Sequence, residues 1–348
     1  MRIGFRGLRR AALGPVAAAA GLLVTAPALA GGSAVVFMYH RFGEDTLPST
    51  NTTLAQLDAH IETLKNGQFT VLPLPQIVAA IREKRSLPDR TVGLSVDDAF
   101  LSLYDEGWPR LRKAGLPFTL FVATDPIDRG YRNYMGWDQI RELAAAGVTI
   151  GSQTASHPHM PLLPPGKNAA ELARSNKRLK QELGKRPSLF AYPFGEISSA
   201  ARNEVGKAGF VAAFGQHSGV LYHGADHLYL PRFAMNETYG SLDRFLLAAN
   251  ALPIEAKDIA PADPLLTRRN NPPAFAFTVA GAALRELRSM ACYASGQGRA
   301  ALERRERGRV VVKLAEAFPP GRARINCTLP AGEGRWRWFG MQFFVPGP

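Results

Sequence analysis

Two adjacent carboxylates, Asp97 and Asp98, directly follow a short apolar run at residues 92–96. Its apolar residues alternate along the run, which predicts a β-strand that ends at these acids. Neighbouring residues at a strand end can point in different directions, so one carboxylate could hold a metal ion while the other accepts a proton. The pair therefore predicts a general base beside a metal ligand.

Other predicted strand ends carry groups of complementary chemistry. The segment 153–159 follows a short apolar run and contains His157, whose imidazole can bind a metal. The turn Pro-Phe-Gly at 193–195 follows another apolar run, and its backbone N–H groups are free to face a ligand. His40 follows the first apolar run, at 34–39, and is therefore expected at the same end of the predicted strands. Carboxylate, imidazole and amide donors are thus predicted to converge.

Short apolar runs alternate with amphipathic stretches from residue 34 to about residue 247, in the order strand then helix. About seven such units predict an α/β fold with a distorted (β/α)7-type barrel rather than an open sheet. In such a barrel the chemistry lies at the carboxyl ends of the strands. A glycine follows several of the helical stretches, where a left-handed residue ends a helix at little cost: Gly115, Gly147, Gly184 and Gly209.

The remaining segments predict export and a second domain. Residues 1–30 contain four arginines ahead of an apolar stretch that ends in Ala-Leu-Ala, which is typical of a cleaved signal peptide; an uncleaved membrane anchor is the alternative. We predict a barrel domain at 31–252, a proline-rich linker at 253–273 and a small basic β-rich domain at 274–348. No later stretch is apolar enough to cross a bilayer, so we expect a periplasmic or extracellular protein.

Positive charge is concentrated near the C-terminus. The formal net charge is +13, and residues 264–348 contain 14 basic and 5 acidic residues. This surface could bind an anionic envelope polymer, or it could be a solvated arginine-rich face without a partner. Export argues against nucleic acid as a partner. Both cysteines of the chain, Cys292 and Cys327, lie in the C-terminal domain, and export makes a disulfide between them plausible.

The motifs described above resemble those of the NodB-homology polysaccharide deacetylases, carbohydrate esterase family 4, over roughly residues 34–250. The run Leu-Ser-Val-Asp-Asp resembles the family's Thr-Phe-Asp-Asp motif, which implies that Asp97 is the catalytic base and Asp98 a metal ligand. The run Gln-Thr-Ala-Ser-His resembles the His-Ser/Thr-x-x-His motif, which implies that His157 is the second ligand.

A third motif extends the resemblance. The run Phe-Ala-Tyr-Pro-Phe-Gly resembles the strand that contributes to the family's oxyanion hole, so Phe194 is implied to supply a backbone amide there. The implied cofactor is a divalent metal, zinc or cobalt, held by Asp98, Gln153 and His157. The implied substrate is an N-acetylated glycan.

The metal motif departs from the family pattern at Gln153. This residue stands where the family has its first metal-binding histidine, and an amide oxygen is a poorer zinc ligand than an imidazole. The ion is therefore expected to bind weakly, unless His159 or His40 completes the shell.

Other positions of the motif set are also altered. Tyr192 replaces the arginine that orients the family's catalytic base, and the late Leu-x-His motif has no clear counterpart. His217 or His223 could supply the general acid, and we assign His217 to this role. Trp137 could line a sugar subsite or simply begin a helix, and we expect it to contact the substrate together with His40 and Tyr192.

Three functions are consistent with these patterns. The first is an exported metal-dependent hydrolase that removes N-acetyl groups from an amino-sugar polysaccharide. The second is a glycan-binding protein on the same barrel that has lost turnover through Gln153. The third is a hydrolase of another non-peptide amide, because the same metal and base would serve any linear amide that fits.

Overall fold

The computed structural model describes Met1, Gly4, residues 31–280 and residues 285–347. The predicted signal peptide, residues 1–30, lies outside the described residues except for Met1 and Gly4. No helix within these described ranges has the length and apolar character needed to span a bilayer.

The helices lie mainly in the first two thirds of the chain. Thr53 and Gln56 exchange reciprocal hydrogen bonds that cap the start of the first helix. Gly184 ends the longest one with φ 73°, as its sequence position predicted. The α-helices are α1 (Leu54–Asn66), α2 (Leu74–Arg82), α3 (Trp108–Lys113), α4 (Thr124–Asp128), α5 (Trp137–Ala145), α6 (Pro165–Leu183), α7 (Ser199–Lys207) and α8 (Leu242–Ala249).

The first sheet takes up the N-terminal part of the chain. Its strands are β1 (Ser33–Tyr39), β4 (Thr70–Val71), β5 (Thr91–Asp97), β6 (Thr119–Val122), β7 (Thr149–Ser152), β8 (Leu189–Ala191), β9 (Ala212–Phe214), β10 (Leu221–Tyr222) and β11 (Phe233–Ala234). Two short strands, β2 (Arg41–Phe42) and β3 (Asn51–Thr52), pair only with each other.

Strands β1, β5, β6, β7, β8 and β9 lie side by side and are parallel. β11 pairs with β1 in parallel, and Phe214 at the end of β9 forms an isolated parallel bridge with Leu230. The sheet therefore curls until the segment 230–234 lies between its first and last parallel strands. The predicted mixed α/β fold is confirmed.

The curled sheet positions the candidate site. Every residue of β5 is buried, up to and including Asp97. Because parallel strands end at the same edge of a sheet, the residues that follow β1, β5, β7 and β8 meet there. These residues include His40, Asp98, Gln153 and Phe194, all of which the sequence predicted to converge.

The second sheet is built from the C-terminal part of the chain. Its strands, in chain order, are β12 (Leu252–Pro253), β13 (Ala256–Ala260), β14 (Ala276–Val279), β15 (Ala291–Ala294), β16 (Gly298–Arg304), β17 (Arg309–Lys313), β18 (Gly321–Pro330) and β19 (Trp336–Val345). They lie side by side in the order β12-β19-β18-β15-β16-β17-β14-β13. A disulfide between Cys292 and Cys327 joins β15 to β18, as the sequence had suggested.

The segment predicted as a linker, residues 253–273, contains β13. This strand pairs with β14 in antiparallel fashion, so backbone hydrogen bonds tie part of the segment to the second sheet. The prolines and polar residues of this segment had suggested a loop. The short stretch 256–260, which contains three apolar residues, nevertheless forms an edge strand. The domain boundary at residue 252 stays a prediction.

Candidate active site

Asp97 is held by a buried arginine. The Nη1 and Nη2 groups of Arg232 donate to the two carboxylate oxygens of Asp97 at 2.7 and 2.8 Å, and neither side chain is exposed. Arg232 is itself fixed, because its Nε donates to the Gly215 carbonyl at 3.0 Å and Nη1 to Ser95 Oγ at 3.1 Å. This arrangement orients both oxygens of Asp97 and balances its charge.

The orienting arginine was missed in the sequence because it lies far from the motif. Tyr192 occupies the motif position where the family has an arginine, whereas Arg232 reaches Asp97 from the residue before β11. One signal could have indicated it. Arg232 is the charged member of the otherwise apolar run Leu-Pro-Arg-Phe-Ala-Met, and a charge in such a run needs a buried partner.

Asp98 and His157 face each other without being bonded. Asp98 Oδ1 lies 3.4 Å from His157 Nε2, and both atoms are buried and lack a hydrogen-bond partner. Both residues also hold left-handed backbone, with φ 75° at Asp98 and φ 56° at His157. Such backbone costs on the order of 1–3 kcal/mol per residue and is concentrated at functional sites.

Positive groups around Asp98 favour its ionised form. Burial of Asp98 opposes ionisation, but contact with the His157 side chain and the charges of His40 and Arg41 outweigh burial and hold the pKa of Asp98 below its usual value. His40 interacts with both acids, because its charge lowers the pKa of Asp98 and its Nε2 lies 4.0 Å from Asp97 Oδ2. His40 is thus placed where the sequence predicted it.

Gln153 is fully buried behind Asp98. Its Oε1 accepts a hydrogen bond from the Asp98 backbone N–H at 3.2 Å, while its Nε2 has no partner. An amide oxygen has two lone pairs, so one remains for a ligand. No cluster of three or more His, Cys, Asp or Glu side chains that could hold a metal occurs within the described ranges.

The Pro193–Gly195 turn forms the opposite wall. Phe194 has φ 58°, and its ring packs edge-on against His157 and flat against His159. His159 Nδ1 lies 2.6 Å from Glu196 Oε2, so a buried carboxylate holds this imidazole beside Phe194. His159 is therefore engaged with Glu196, although the sequence had suggested it as a further metal ligand.

Comparison with known proteins finds a matching family. The sequence profile of the polysaccharide deacetylase family matches residues 84–213, which include Asp97, Asp98, Gln153, His157 and Phe194. This match supports the resemblance to the NodB-homology polysaccharide deacetylases that the sequence motifs suggested.

Sequence relatives of this chain are distant. The polysaccharide deacetylase homologue YxkH of Bacillus subtilis (strain 168) is 22% identical over 175 residues, a match that covers 50% of this chain and 61% of that protein. The poly-beta-1,6-N-acetyl-D-glucosamine N-deacetylase of Staphylococcus aureus (strain MRSA252) is 22% identical over 215 residues, covering 58% of this chain and 73% of that protein. The chain thus spans about three fifths of the length of the first of these relatives.

Solved structures share the fold of this chain. Streptococcus pyogenes deacetylase PplD, determined in complex with acetate, has a TM-score of 0.58 at 18% identity and covers 62% of this chain and 98% of its own. IcaB from Ammonifex degensii has a TM-score of 0.56 at 23% identity and covers 63% of this chain and 97% of its own. At these identities the likeness shows the fold alone.

Two predicted substrate contacts, Tyr192 and Trp137, are engaged with other parts of the chain. Tyr192 directly follows β8, and its side chain is fully buried. Its hydroxyl donates to the Leu228 carbonyl. Trp137 donates its Nε1 to Asp128 at 2.7 Å and lies beneath the Arg178 guanidinium, which covers its ring face.

Tyr134, in the segment before Trp137, interacts with the charge of Asp98. Burial raises the pKa of the Tyr134 hydroxyl, and the charge of Asp98 raises it further. Tyr134 also packs against Phe100, whose ring lies under the Arg41 guanidinium at 3.4 Å. Tyr134 is thus a second aromatic residue of the segment that the sequence singled out, and the substrate contact of Trp137 stays a prediction.

His217, the predicted general acid, is buried beneath Tyr229. It lines a cavity of about 740 Å³ between the two sheets, and neither acid nor His157 lines that cavity. Burial, together with the charges of Arg324 and Arg232, lowers the pKa of His217 to about 3. His217 therefore faces this cavity, and its role as the general acid stays a prediction. His223, the other candidate, contacts the Arg85 carbonyl at 3.1 Å.

Proposed function

We propose that this protein is an exported, metal-dependent N-deacetylase of an amino-sugar polysaccharide. The observation that carries the proposal is the facing pair of unpartnered atoms, Asp98 Oδ1 and His157 Nε2, next to an Asp97 that Arg232 orients. The periplasmic or extracellular location rests on the sequence of residues 1–30. A distorted (β/α)7-type barrel, closed by residues 230–234, is part of the same proposal.

The donor set suits a divalent cation. A separation of 3.4 Å between Asp98 Oδ1 and His157 Nε2 is compatible with two ligands that are each about 2.0–2.2 Å from one zinc ion. Gln153 Oε1 is the proposed third ligand, through the lone pair that the Asp98 N–H leaves free. Zinc or cobalt is the proposed ion. When bound, it would polarise the acetamide carbonyl and acidify a water molecule.

The side chains around this position have separate tasks. Asp97 removes the proton of the attacking water, and Arg232 keeps its carboxylate at one orientation. The backbone N–H of Phe194 donates to the oxygen on which negative charge develops. His40, close to both acids, donates to the substrate. The C–N bond of the acetamide breaks, the departing nitrogen takes up the proton that Asp97 removed from water, and the products are acetate and a free amine.

Acetate release tests the proposal. Wild-type protein supplied with zinc or cobalt is expected to release acetate from N-acetylated oligosaccharides, and Asp97→Asn is expected to lose nearly all of this activity. The exposed Asp105 provides a matched control, because Asp105→Asn makes the same chemical change away from the site. Metal analysis of Asp98→Asn and His157→Asn should show reduced metal content relative to wild type. Absence of acetate release from every N-acetylated glycan tried would contradict the proposal.

A glycan-binding protein is the second candidate. The proposed metal ligands favour it, because Gln153 stands where the family has an imidazole and its oxygen already accepts the Asp98 N–H. An amide oxygen is a poorer zinc ligand than an imidazole. Sugar binding without acetate release, in protein loaded with metal, would favour this candidate. A third candidate, hydrolysis of another non-peptide amide, would appear as acetate-free turnover in an amide substrate panel.

A further inference from the structure

One face of the β18–β19 hairpin borders the candidate active site. Arg322 and Arg324 are two positions apart on β18, so their side chains point to the same face of the sheet. Their direct partners on β19 are Phe344 and Gln342. Residues directly opposite in an antiparallel pair share a face. These four side chains therefore form one surface, which we call the arginine face.

The arginine face touches the turn that holds Phe194. Gln342 Nε2 donates to the Phe194 carbonyl at 3.0 Å, and the Phe344 ring is nearly parallel to His159 at 5.8 Å. The Arg322 guanidinium lies 5.7 Å from the centre of the Phe194 ring. The second sheet thus supplies a wall beside the proposed oxyanion position.

On this face Arg324 lacks an acid within the described residues, and Arg322 has only one that it shares with His159. No ion pair or side-chain hydrogen bond of Arg324 occurs within residues 31–280 and 285–347. Burial and the neighbouring charge of Arg322 lower the pKa of Arg324, with only partial compensation from the Tyr229 and Tyr239 hydroxyls. The acid near Arg322 is Glu196, at 4.0 Å, and Glu196 is already bonded to His159.

A half-buried guanidinium without an acid is unfavourable for stability, because it loses hydration without gaining a partner. A guanidinium offers planar, parallel N–H donors that match the oxygens of a carboxylate or a phosphate. The unpaired charge on the arginine face is therefore complementary to an oxyanion brought by a ligand.

We propose that Arg322 and Arg324 form a subsite for a carboxylate or phosphate on a sugar unit close to the one whose acetamide is cleaved. The inference deepens the proposed function and rests on it, because the ligand is the polysaccharide itself. It assigns the substrate to the anionic amino-sugar polymers. It also gives the second sheet a role in substrate selection.

The test compares three N-acetylated oligosaccharides of equal length, one neutral, one bearing carboxylates and one bearing phosphate groups. Calorimetry measures binding to chelator-treated wild-type protein, and acetate release measures turnover in protein supplied with zinc. An anionic form is expected to bind roughly tenfold more tightly than the neutral form, which is one decade in Kd. Whichever anionic form binds better identifies the oxyanion.

Variants separate the subsite from general structure. In Arg324→Gln the ratio of anionic to neutral binding is expected to fall close to one, while Arg324→Lys should keep part of it. Arg299, exposed on β16 of the same sheet, is the matched control, and Arg299→Gln should retain the full ratio. Equal binding of neutral and anionic forms by wild type, or an unchanged ratio in Arg324→Gln, overturns the proposal.

The two proposals fail in different ways. Preferential anionic binding without acetate release, in zinc-supplied protein, would support the subsite and overturn the deacetylase function. Acetate release at equal kcat/KM from neutral and anionic forms, together with equal binding, would support the function and overturn the subsite.

Discussion

Arg232 donates two parallel hydrogen bonds to Asp97, although the two residues are 135 positions apart in the chain. The bonds connect the end of β5 to the residue that precedes β11, across the interior of the curled sheet. The proposed catalytic base is therefore fixed by a contact that also holds the sheet together. Loss of this contact should affect both stability and turnover.

We expect Arg232→Gln to lower the free energy of unfolding by about 3–5 kcal/mol, because it leaves the buried carboxylate of Asp97 without its partner. Urea unfolding followed by circular dichroism measures this change. The exposed pair of Arg202 and Asp226 is the control, since Arg202→Gln should cost only about 0–1 kcal/mol. Equal losses in the two variants would show that the buried pair has no special role.

We expect Gln153→His to bind zinc more tightly than wild type, by roughly tenfold or about 1.4 kcal/mol, because imidazole is a better zinc ligand than an amide. Competition with a chromophoric chelator measures the dissociation constant. Gln181→His, on the exposed side of α6, adds the same side chain away from the site and should leave that constant unchanged. Weaker binding in Gln153→His would mean that this position supports Asp98 rather than the ion.

Two buried histidines predict a loss of stability in mild acid. Burial lowers the pKa of His60 to about 4 and that of His217 to about 3, whereas in the unfolded chain both titrate near 6.5. The unfolded state therefore binds more protons as the pH falls below 6.5, and the free energy of unfolding decreases until the folded pKa is reached. At pH 5 the loss from His60 is on the order of 1–2 kcal/mol relative to pH 7.5.

Urea unfolding at pH 7.5 and pH 5 tests this dependence. His60→Asn should be less stable than wild type at pH 7.5, because it weakens the contacts with Tyr39 and the Gly240 carbonyl, but it should lose less stability on acidification. His227 is exposed, and His227→Asn should show the wild-type slope. A slope that is unchanged in His60→Asn would argue against this origin.

Removal of the disulfide should destabilise the second sheet. The bond between Cys292 and Cys327 spans 35 positions, for which the loop-entropy relation gives about 3–4 kcal/mol. The double variant Cys292→Ser/Cys327→Ser is expected to show this loss in thermal or urea unfolding. A reducing agent should lower wild-type stability similarly and leave the double variant unaffected. Insensitivity of the wild type would indicate that the bond contributes little.

The sequence was sufficient to locate much of the site. The alternating apolar residues before Asp97 predicted β5 and its end, and similar runs predicted the strands before Gln153 and Phe194. Because parallel strands end at one edge, residue order along the chain was enough to bring these positions together. The mixed α/β fold and the cysteine pairing followed from equally local patterns.

Contacts between distant residues could not be predicted in this way. Nothing near Asp97 in the sequence indicates Arg232, and nothing near Phe194 indicates Gln342, which reaches it from another sheet. Side-chain direction was also unreadable, which is why Tyr192 was assigned to the substrate although it is buried and donates to the Leu228 carbonyl. These contacts depend on how the chain packs, and residue types alone do not specify that.

The left-handed backbone of four site residues bears on how the protein is inactivated by heat or denaturant. These residues are Asp98, Thr154, His157 and Phe194. Each of these residues would have a lower backbone energy in another conformation, and only the surrounding packing keeps it in the left-handed one. Heating or mild denaturant should therefore disorder the pocket before the sheets come apart. Activity would disappear while the bulk of the protein still looks intact, so inactivation and unfolding should be followed as separate events.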